Sequence, residues 1–246
     1  MKIKIAIVDS RISDLEARRL TLEGFKVITL PPYSRLSRPI ASHTDMLIHR
    51  MGNEYISFAD YCEEASYVFS DISPLLVPCG ARLTFAADIP SPEYPEDAKL
   101  NALRMGNKLF CRTDSICARI LEAARETDVE IVHTNQGYPA CTVLKLTDSA
   151  AITADRGMAR LLTLHGIKVT LIENGDISLE PYEYGFIGGA GGVFGDTLYL
   201  FGNPETHRSY EKIKVATDEA GLRIVALSDG AIRDLGGILF AEGNID

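Results

Sequence analysis

Residues 143–172 of the chain read VLKLTDSAAITADRGMARLLTLHGIKVTLI, and residues 192–227 read GVFGDTLYLFGNPETHRSYEKIKVATDEAGLRIVAL, so one order of elements occurs twice. Each stretch predicts a short strand, a turn, a second strand, a helix, a glycine and a third strand. Gly166 and Gly221 follow the two predicted helices, where a left-handed residue commonly ends a helix. One such unit cannot enclose a core alone, so the repeat predicts a fold of several packed copies.

Three further copies of the unit lie upstream. Gly24 stands between a predicted helix and an apolar strand, as Gly166 and Gly221 do. A helix predicted over residues 59–69 leads into a junction at 73–77. A helix predicted over residues 115–126 leads into a junction at 127–132, and neither junction contains a glycine. The sequence therefore predicts five units of one design.

The hairpins that open the units also repeat. Arg-Met-Gly-Asn at residues 50–53 recurs at 104–107, and Gly-Asn between short apolar strands is typical of a tight turn. The first unit begins directly with the strand at residues 2–8, and the strand at 237–240 is free to complete it. Pairing of the N- and C-terminal strands would close a ring and remove exposed strand edges. We therefore predict an α/β fold, a five-bladed β/α propeller in which residues 1–246 form a single domain.

Composition limits the class of protein. The chain has 246 residues, an apolar fraction of 46% and a formal net charge of −9. An acidic chain is poorly suited to binding phosphate backbones, so no nucleic-acid partner is expected. No apolar run approaches the roughly 18 residues of a membrane span, and the first residues form no apolar leader. The sequence therefore predicts a cytoplasmic protein without a membrane partner, and it leaves the oligomeric state open.

Cysteine spacing gives no sign of a metal or of disulfides. The chain has five cysteines, at positions 62, 79, 111, 117 and 141. None forms a Cys-x-x-Cys pair, and no zinc-type histidine spacing stands near them. We therefore expect reduced thiols, no metal and no cofactor.

The glycine run at 188–192 lacks the lysine and the following helix of a phosphate loop, so it predicts close backbone approach instead of nucleotide binding.

Several short motifs carry a resemblance to a known fold. They are His-Thr-Asp at 43–45, Tyr-Pro-Glu-Asp at 94–97 with Asn101, Gln-Gly-Tyr at 136–138 with Cys141, Ile-Thr-Ala-Asp at 152–155 with Gly157, Tyr-Gly-Phe-Ile-Gly-Gly at 184–189, and Asp-Leu-Gly at 234–236. On these motifs the chain resembles an uncharacterised bacterial family assigned to the pentein fold, also called the guanidino-modifying-enzyme (GME) fold. That fold includes arginine deiminase, dimethylarginine dimethylaminohydrolase and amidinotransferases, and also a non-enzymatic ribosome anti-association factor.

The resemblance leaves two functions open. The catalytic penteins place a nucleophilic cysteine after a glycine-rich turn near the C-terminus. Here that turn reads Asp-Leu-Gly-Gly-Ile-Leu-Phe at 234–240, and no cysteine follows Cys141. One hypothesis is a Cys-dependent hydrolase or transferase that acts on a small amide, amidine or guanidino compound. The alternative is a non-catalytic binding protein that keeps the scaffold, and fold alone does not separate the two.

Three residues are candidates for catalysis. Cys141 precedes a predicted strand near the place of the histidine in catalytic penteins, and it could act as a nucleophile if a base or cation lowers its pKa. A buried structural thiol is the alternative. His43 and Asp45 are spaced to lie on one face of an extended segment, which suits a base and its orienting carboxylate. They could instead satisfy loop backbone groups.

Five further residues are candidates for binding the small molecule. Asn101, Gln136 and Asp234 lie at the predicted inner ends of different units, which should converge on the axis of the ring together with the catalytic candidates. Phe186 is predicted to form an apolar wall of that cleft. Asp155 is a binding candidate whose alternative role is an N-cap for the helix that follows it.

Overall fold

The chain folds into a mixed α/β architecture, which confirms the predicted class; the computed structural model describes residues 1–244. The strands in that range are β1 Lys2–Asp9, β2 Phe25–Leu30, β3 His49–Met51, β4 Glu54–Phe58, β5 Arg82–Ala86, β6 Leu103–Met105, β7 Lys108–Cys111, β8 Glu130–His133, β9 Val143–Lys145, β10 Ala150–Thr153, β11 Lys168–Leu171, β12 Ile177–Ser178, β13 Gly191–Phe194, β14 Thr197–Leu200, β15 Arg223–Ala226, β16 Ile232–Arg233 and β17 Leu239–Asn244. The α-helices are α1 Asp14–Leu22, α2 Thr44–Leu47, α3 Ala59–Glu64, α4 Ser66–Leu76, α5 Ala118–Glu126, α6 Pro139–Thr142, α7 Arg156–Leu164 and α8 Tyr210–Glu219.

Five three-stranded sheets share one order. Their strand orders are β17-β1-β2, β3-β4-β5, β6-β7-β8, β9-β10-β11 and β13-β14-β15. In each, the first strand runs antiparallel to the central strand and the third runs parallel to it. Strands β12 and β16 form a separate two-stranded parallel sheet. The N- and C-terminal strands pair directly, with Lys2 opposite Asn244 and Ile7 opposite Leu239.

Helices connect the central strand of each three-stranded sheet to its parallel neighbour. Local sequence explains where two of these helices begin. Ser13 accepts the backbone N–H of Glu16, whose side chain returns a bond to Ser13, so α1 starts with a capping box. Asp155 accepts the backbone N–H groups of Gly157 and Met158 and thereby caps α7. The N-cap interpretation of Asp155 therefore describes its local structure.

The second unit differs from the sequence prediction. The predicted helix over residues 59–69 is two helices, and the second, α4, continues to Leu76 through Pro74. The junction predicted at 73–77 is therefore wrong, and the third strand of this sheet begins at Arg82. Buried residues at helical spacing, including Val68, Ile72 and Leu75, keep the segment helical because packing overrides the local signal of a proline.

The largest apolar cluster lies under the helix that positions the first candidate residues. Met46 and Leu47 of α2 are completely buried in it, together with Tyr33 and Phe58. Cys141 belongs to the same cluster. Truncating a completely buried methionine or leucine to alanine costs about 2–5 kcal/mol, so this packing fixes α2 firmly.

Among the described residues, no helix combines the length and the apolar character needed to cross a bilayer.

Candidate active site

His43 and Asp45 are positioned by a short helix, where the sequence predicted an extended segment. His43 immediately precedes α2, and Asp45 lies in its first turn. The backbone N–H of Asp45 donates to the carbonyl oxygen of Gly236, 3.0 Å away. Gly236 has φ +68°, and a Cβ there would lie 2.4 Å from the Cβ of His43. Only glycine fits this approach, so the Asp-Leu-Gly turn holds the start of α2 in place.

Cys141 and Asn101 reach the same place from two other units. Cys141 lies in α6, the short helix that leads into β9, and Asn101 lies just before β6. The backbone N–H of Ala140 donates to Asn101 Oδ1 at 2.8 Å. Asn101 Nδ2 lies 3.1 Å from Cys141 Sγ, and the thiol in turn donates to Asp45 Oδ2 across 2.8 Å. One amide therefore contacts both the backbone of α6 at Ala140 and the sulfur of Cys141.

Asp234 is held by backbone donors. Its Oδ2 accepts from the N–H of Phe186 at 2.9 Å, and its Oδ1 accepts from the N–H of Gly236 at 3.1 Å. A Cβ on Gly189 would lie 1.9 Å from Asp234 Oδ1, so the glycine run allows the close backbone approach that its sequence suggested. Asp234 Oδ1 is 3.9 Å from His43 Nδ1, which is too long for a hydrogen bond.

We call His43, Asp45, Asn101, Cys141 and Asp234 the floor cluster. Donor atoms of His43, Asp45 and Cys141 all lie within 4.8 Å of one another. Four members are buried, among them His43 at 1% exposure, Cys141 at 4% and Asp234 at 2%, whereas Asp45 is partly exposed. Both ring nitrogens of His43 and the Oδ1 atom of Asp45 are buried and make no hydrogen bond. Three polar atoms of the cluster are thus available for a further partner.

Burial dominates the protonation of the floor cluster. Burial lowers the pKa of His43 to about 3, and the Arg11 guanidinium adds to that shift. Burial raises the pKa of Asp45 to about 8 and that of Asp234 to about 6. Burial, followed by the charges of Asp45 and Asp234, raises the pKa of Cys141 well above its usual value. By itself, the cluster therefore holds a neutral imidazole and a protonated thiol at neutral pH.

A cavity of about 630 Å³ adjoins the floor cluster. Asp45 lines it, with Thr44, Ala140, Gly188 and Gly236 beside it, whereas His43 and Cys141 lie behind these residues. Other parts of its wall carry cations at matching positions of three successive units, namely Arg50, Arg104 and Lys145. A ligand in this cavity meets the floor cluster first at Asp45.

The remaining predicted binding residues lie beside a different cavity. Gln136 Nε2 donates to Asp155 Oδ2 at 2.8 Å. Both residues line a cavity of about 350 Å³, and Phe186 lines it too. The structure therefore brings Asn101 and Asp234 to the catalytic candidates, whereas Gln136 and Asp155 form a separate pair. Phe186 connects the two places, because its backbone contacts Asp234.

Sequence reasoning missed two features of this region. Arg11, which affects the pKa of His43, is itself held by the buried carboxylate of Asp9 through two N–H groups. A charged residue just after a strand gave no signal of that role. The second feature is the donor set of His43, Asp45 and Cys141, an imidazole, a carboxylate and a thiol that could hold a metal ion together. Their wide separation in sequence matches no metal-binding motif.

The sheet order and the solved structures that this chain is similar to define its class. The amidinotransferase SxtG from Microseira wollei, of the saxitoxin biosynthetic pathway, is 15% identical, with a TM-score of 0.55 over 90% of this chain and 76% of that one. The inosamine-phosphate amidinotransferase StrB1 from Streptomyces griseus is 17% identical, with a TM-score of 0.54 over 90% and 75%. DDAH from Pseudomonas aeruginosa, in complex with citrulline, is 10% identical, with a TM-score of 0.52 over 91% and 90%.

These neighbours are pentein-fold enzymes, so the predicted resemblance to the pentein fold is confirmed. At such low identity the likeness establishes the fold and not the activity. The sequence profile of a family of unknown function (DUF6873) matches residues 7–239, and the chain belongs to that family. A search of curated protein sequences finds no match to this chain.

Proposed function

We propose that the five three-stranded sheets are the blades of one β/α propeller, which residues 1–246 form as a single domain. The shared strand order of the sheets supports this arrangement, as does the pairing of β1 with β17. Solved structures of the same fold support it further, since they cover 90% or more of this chain. In such a ring the loops that precede β3, β6, β9, β13 and β17 meet at the axis. The floor cluster consists of residues from four of these loops.

We infer that the protein is a hydrolase or transferase that acts on a small amide, amidine or guanidino compound. The observation that carries this proposal is the convergence of Cys141, His43 and Asp45 beside a cavity of about 630 Å³. The similar enzymes include two named amidinotransferases and a DDAH bound to citrulline, which makes this substrate class the one to test first. The activity is proposed to be cytoplasmic, with a small-molecule ligand and without a nucleic-acid or membrane partner.

Asp45 is the group that such a compound would meet. It lines the cavity, and its Oδ1 atom has no donor of its own. An amidine or guanidine offers several N–H donors in one plane, which suit a carboxylate acceptor. Asn101 fixes the sulfur of Cys141 on the other side of Asp45. The C–N bond to be broken would thus be held at Asp45, and a movement of the Asp45 side chain would give it access to the cysteine and histidine behind.

The test is a turnover screen with a matched pair of cysteine variants. Purified protein is incubated with guanidino compounds, amidines and amides, and released ammonia or amine is measured. We expect Cys141→Ser to lower turnover at least about 100-fold, as removal of an essential group does. Cys111→Ser is the control, because Cys111 is also completely buried but lies in β7, away from the floor cluster. Turnover that survives in Cys141→Ser would contradict the proposal.

The second candidate function is non-catalytic binding of a small molecule. It is favoured by one observation: the Cys141 side chain is 4% exposed and its thiol is occupied by Asp45. A thermal-shift panel separates the two functions, because a ligand of the native state raises the melting temperature whether or not it reacts. A compound that stabilises wild type and Cys141→Ser equally, with no product formed, would identify a binding protein.

A further inference from the structure

The floor cluster contains more buried polar atoms than its own hydrogen bonds satisfy. Both nitrogens of His43 and one oxygen of Asp45 are buried and unpartnered. A buried polar atom left without a partner costs about 1–3 kcal/mol, and native proteins rarely leave several together. One ring nitrogen of His43 and the Asp45 oxygen can share a partner, and their lack of hydrogen bonds indicates one.

The chemistry of the donors indicates what that partner is. An imidazole nitrogen, a carboxylate oxygen and a cysteine sulfur are the three ligand types that Zn²⁺ takes in proteins. The sulfur disfavours Mg²⁺ and Ca²⁺, which prefer oxygen ligands throughout. Zinc bonds of about 2.0–2.3 Å in a tetrahedron set ligand atoms about 3.3–3.8 Å apart. Here all three donors lie within 4.8 Å of one another. The 2.8 Å between Cys141 Sγ and Asp45 Oδ2 is a hydrogen-bond distance, which must lengthen when a metal replaces the thiol proton.

The space around the donors favours an ion over an organic ligand. His43 and Cys141 do not line the cavity, and a molecule in it would have to displace Asp45 to reach them. A single ion needs no such opening, because it lies between side chains that already converge. Asp45 does line the cavity, so an ion bound to its carboxylate would lie behind this one side chain.

We propose that His43, Asp45 and Cys141 bind one Zn²⁺ ion, with a water molecule as the fourth ligand. On binding, the Cys141 thiol and the Asp45 carboxyl group release their protons to solvent, and the sulfur exchanges its hydrogen bond with Asp45 for a bond to the metal. The Asn101 amide, 3.1 Å from the sulfur, remains as a donor to the coordinated thiolate. This assignment departs from the expectation of a metal-free protein. It does not depend on the proposed enzymatic function, and if both hold, Cys141 acts as a metal ligand.

The experiment uses cobalt as a spectroscopic substitute for zinc. Full-length protein is stripped with a chelator, titrated with Co²⁺ and followed by absorption spectroscopy. We expect a sulfur-to-cobalt charge-transfer band that saturates at one equivalent and is bleached by Zn²⁺. Cys141→Ser should abolish the band, and Cys111→Ser should keep it. Absence of the band in wild type, or its loss in Cys111→Ser only, would overturn the assignment.

X-ray absorption spectroscopy of wild-type protein loaded with zinc tests the site without any variant, so a variant that folds poorly cannot affect the result. We expect one sulfur at about 2.3 Å and nitrogen or oxygen neighbours at about 2.0–2.1 Å. A shell without sulfur, or with two or more sulfurs, contradicts the site. Metal binding and turnover are measured separately, so the two proposals fail differently. Turnover in a protein that gives no cobalt band refutes the metal alone, whereas stoichiometric binding without any turnover refutes the enzyme alone.

Discussion

Two carboxylates in neighbouring segments, Asp45 and Glu54, differ in the number of hydrogen bonds that they accept. Glu54 is 6% exposed and accepts from Arg119 at 2.8 Å through both oxygens, from Thr84 at 2.7 Å and from Arg82. Asp45 accepts one thiol and has an oxygen with no donor.

The pKa values follow the partners. Burial by itself would raise the pKa of Glu54, but the bonds from Arg119, Thr84 and Arg82 lower it to about 2. For Asp45 no cation opposes burial, and its pKa rises to about 8. Glu54 thus contributes to the stability of the fold, whereas Asp45 keeps an unpartnered oxygen at a cost in stability, as residues of functional sites commonly do.

The largest loss of stability is expected from removing Glu54, the carboxylate whose two oxygens both accept hydrogen bonds. Glu54→Ala removes the buried partner of Arg119, whose side chain is 17% exposed and keeps only its exposed pairs with Glu122 and Glu126. We expect the free energy of unfolding to fall by about 3–5 kcal/mol in urea titrations. Lys168→Ala is the control, because its ion pair with Glu219 is exposed, and it should cost less than about 1 kcal/mol. Equal losses in the two variants would show that Glu54 is not the stabilising group.

The next effect concerns the glycine that holds the floor cluster. Gly236→Ala places a Cβ at positive φ and against His43, so we expect a loss of about 3 kcal/mol from strain and overpacking together. Gly221→Ala is the matched control: its φ of +71° is close to the +68° of Gly236, but no atom lies within 4 Å of the added Cβ. Strain alone should cost it about 1 kcal/mol. Similar losses would contradict the contact with His43.

The stability that ionised Glu54 contributes should be lost at a lower pH than is usual for a glutamate. The folded pKa of Glu54, about 2, lies below the ordinary value of 4.5, so its stabilisation is complete above pH 4.5 and is lost as the pH falls toward 2. The stability advantage of wild type over Glu54→Gln should narrow by about 2 kcal/mol between pH 6 and pH 3. Urea titrations at the two pH values measure it. An advantage that does not change with pH would contradict the ionised network.

The smallest change in the free energy of unfolding is expected from a substitution of Asp45. Asp45→Asn keeps the shape of the side chain and removes a buried acid that lacks a full set of donors. In metal-free protein its free energy of unfolding should stay within about 1 kcal/mol of wild type, measured by the same titration. A loss as large as that of Glu54→Ala would show that Asp45 is a structural residue, and the contrast between the two carboxylates would collapse.

Sequence alone predicted the parts of this protein that depend on local order. The alternation of strand, turn, strand and helix follows from hydrophobic spacing and glycine, and those signals need no knowledge of distant residues. They predicted the element order of the five units, whereas the short motifs carried the resemblance to the pentein fold. They failed at residues 73–77, where α4 continues through Pro74 because its apolar face is buried by tertiary contacts.

Only the tertiary structure decided the chemistry of the floor cluster. His43 and Cys141 are about a hundred residues apart, and their donors meet within 4.8 Å because loops of different units converge. Sequence named both residues and their neighbours Asp45, Asn101 and Asp234, but it grouped Gln136 with them, which instead pairs with Asp155. Three properties of the cluster depend on packing. They are the burial of His43 and Cys141, the position of these two residues behind the cavity, and the lack of a donor for Asp45 Oδ1. They arise from the sum of many weak contacts, which no short stretch of sequence encodes.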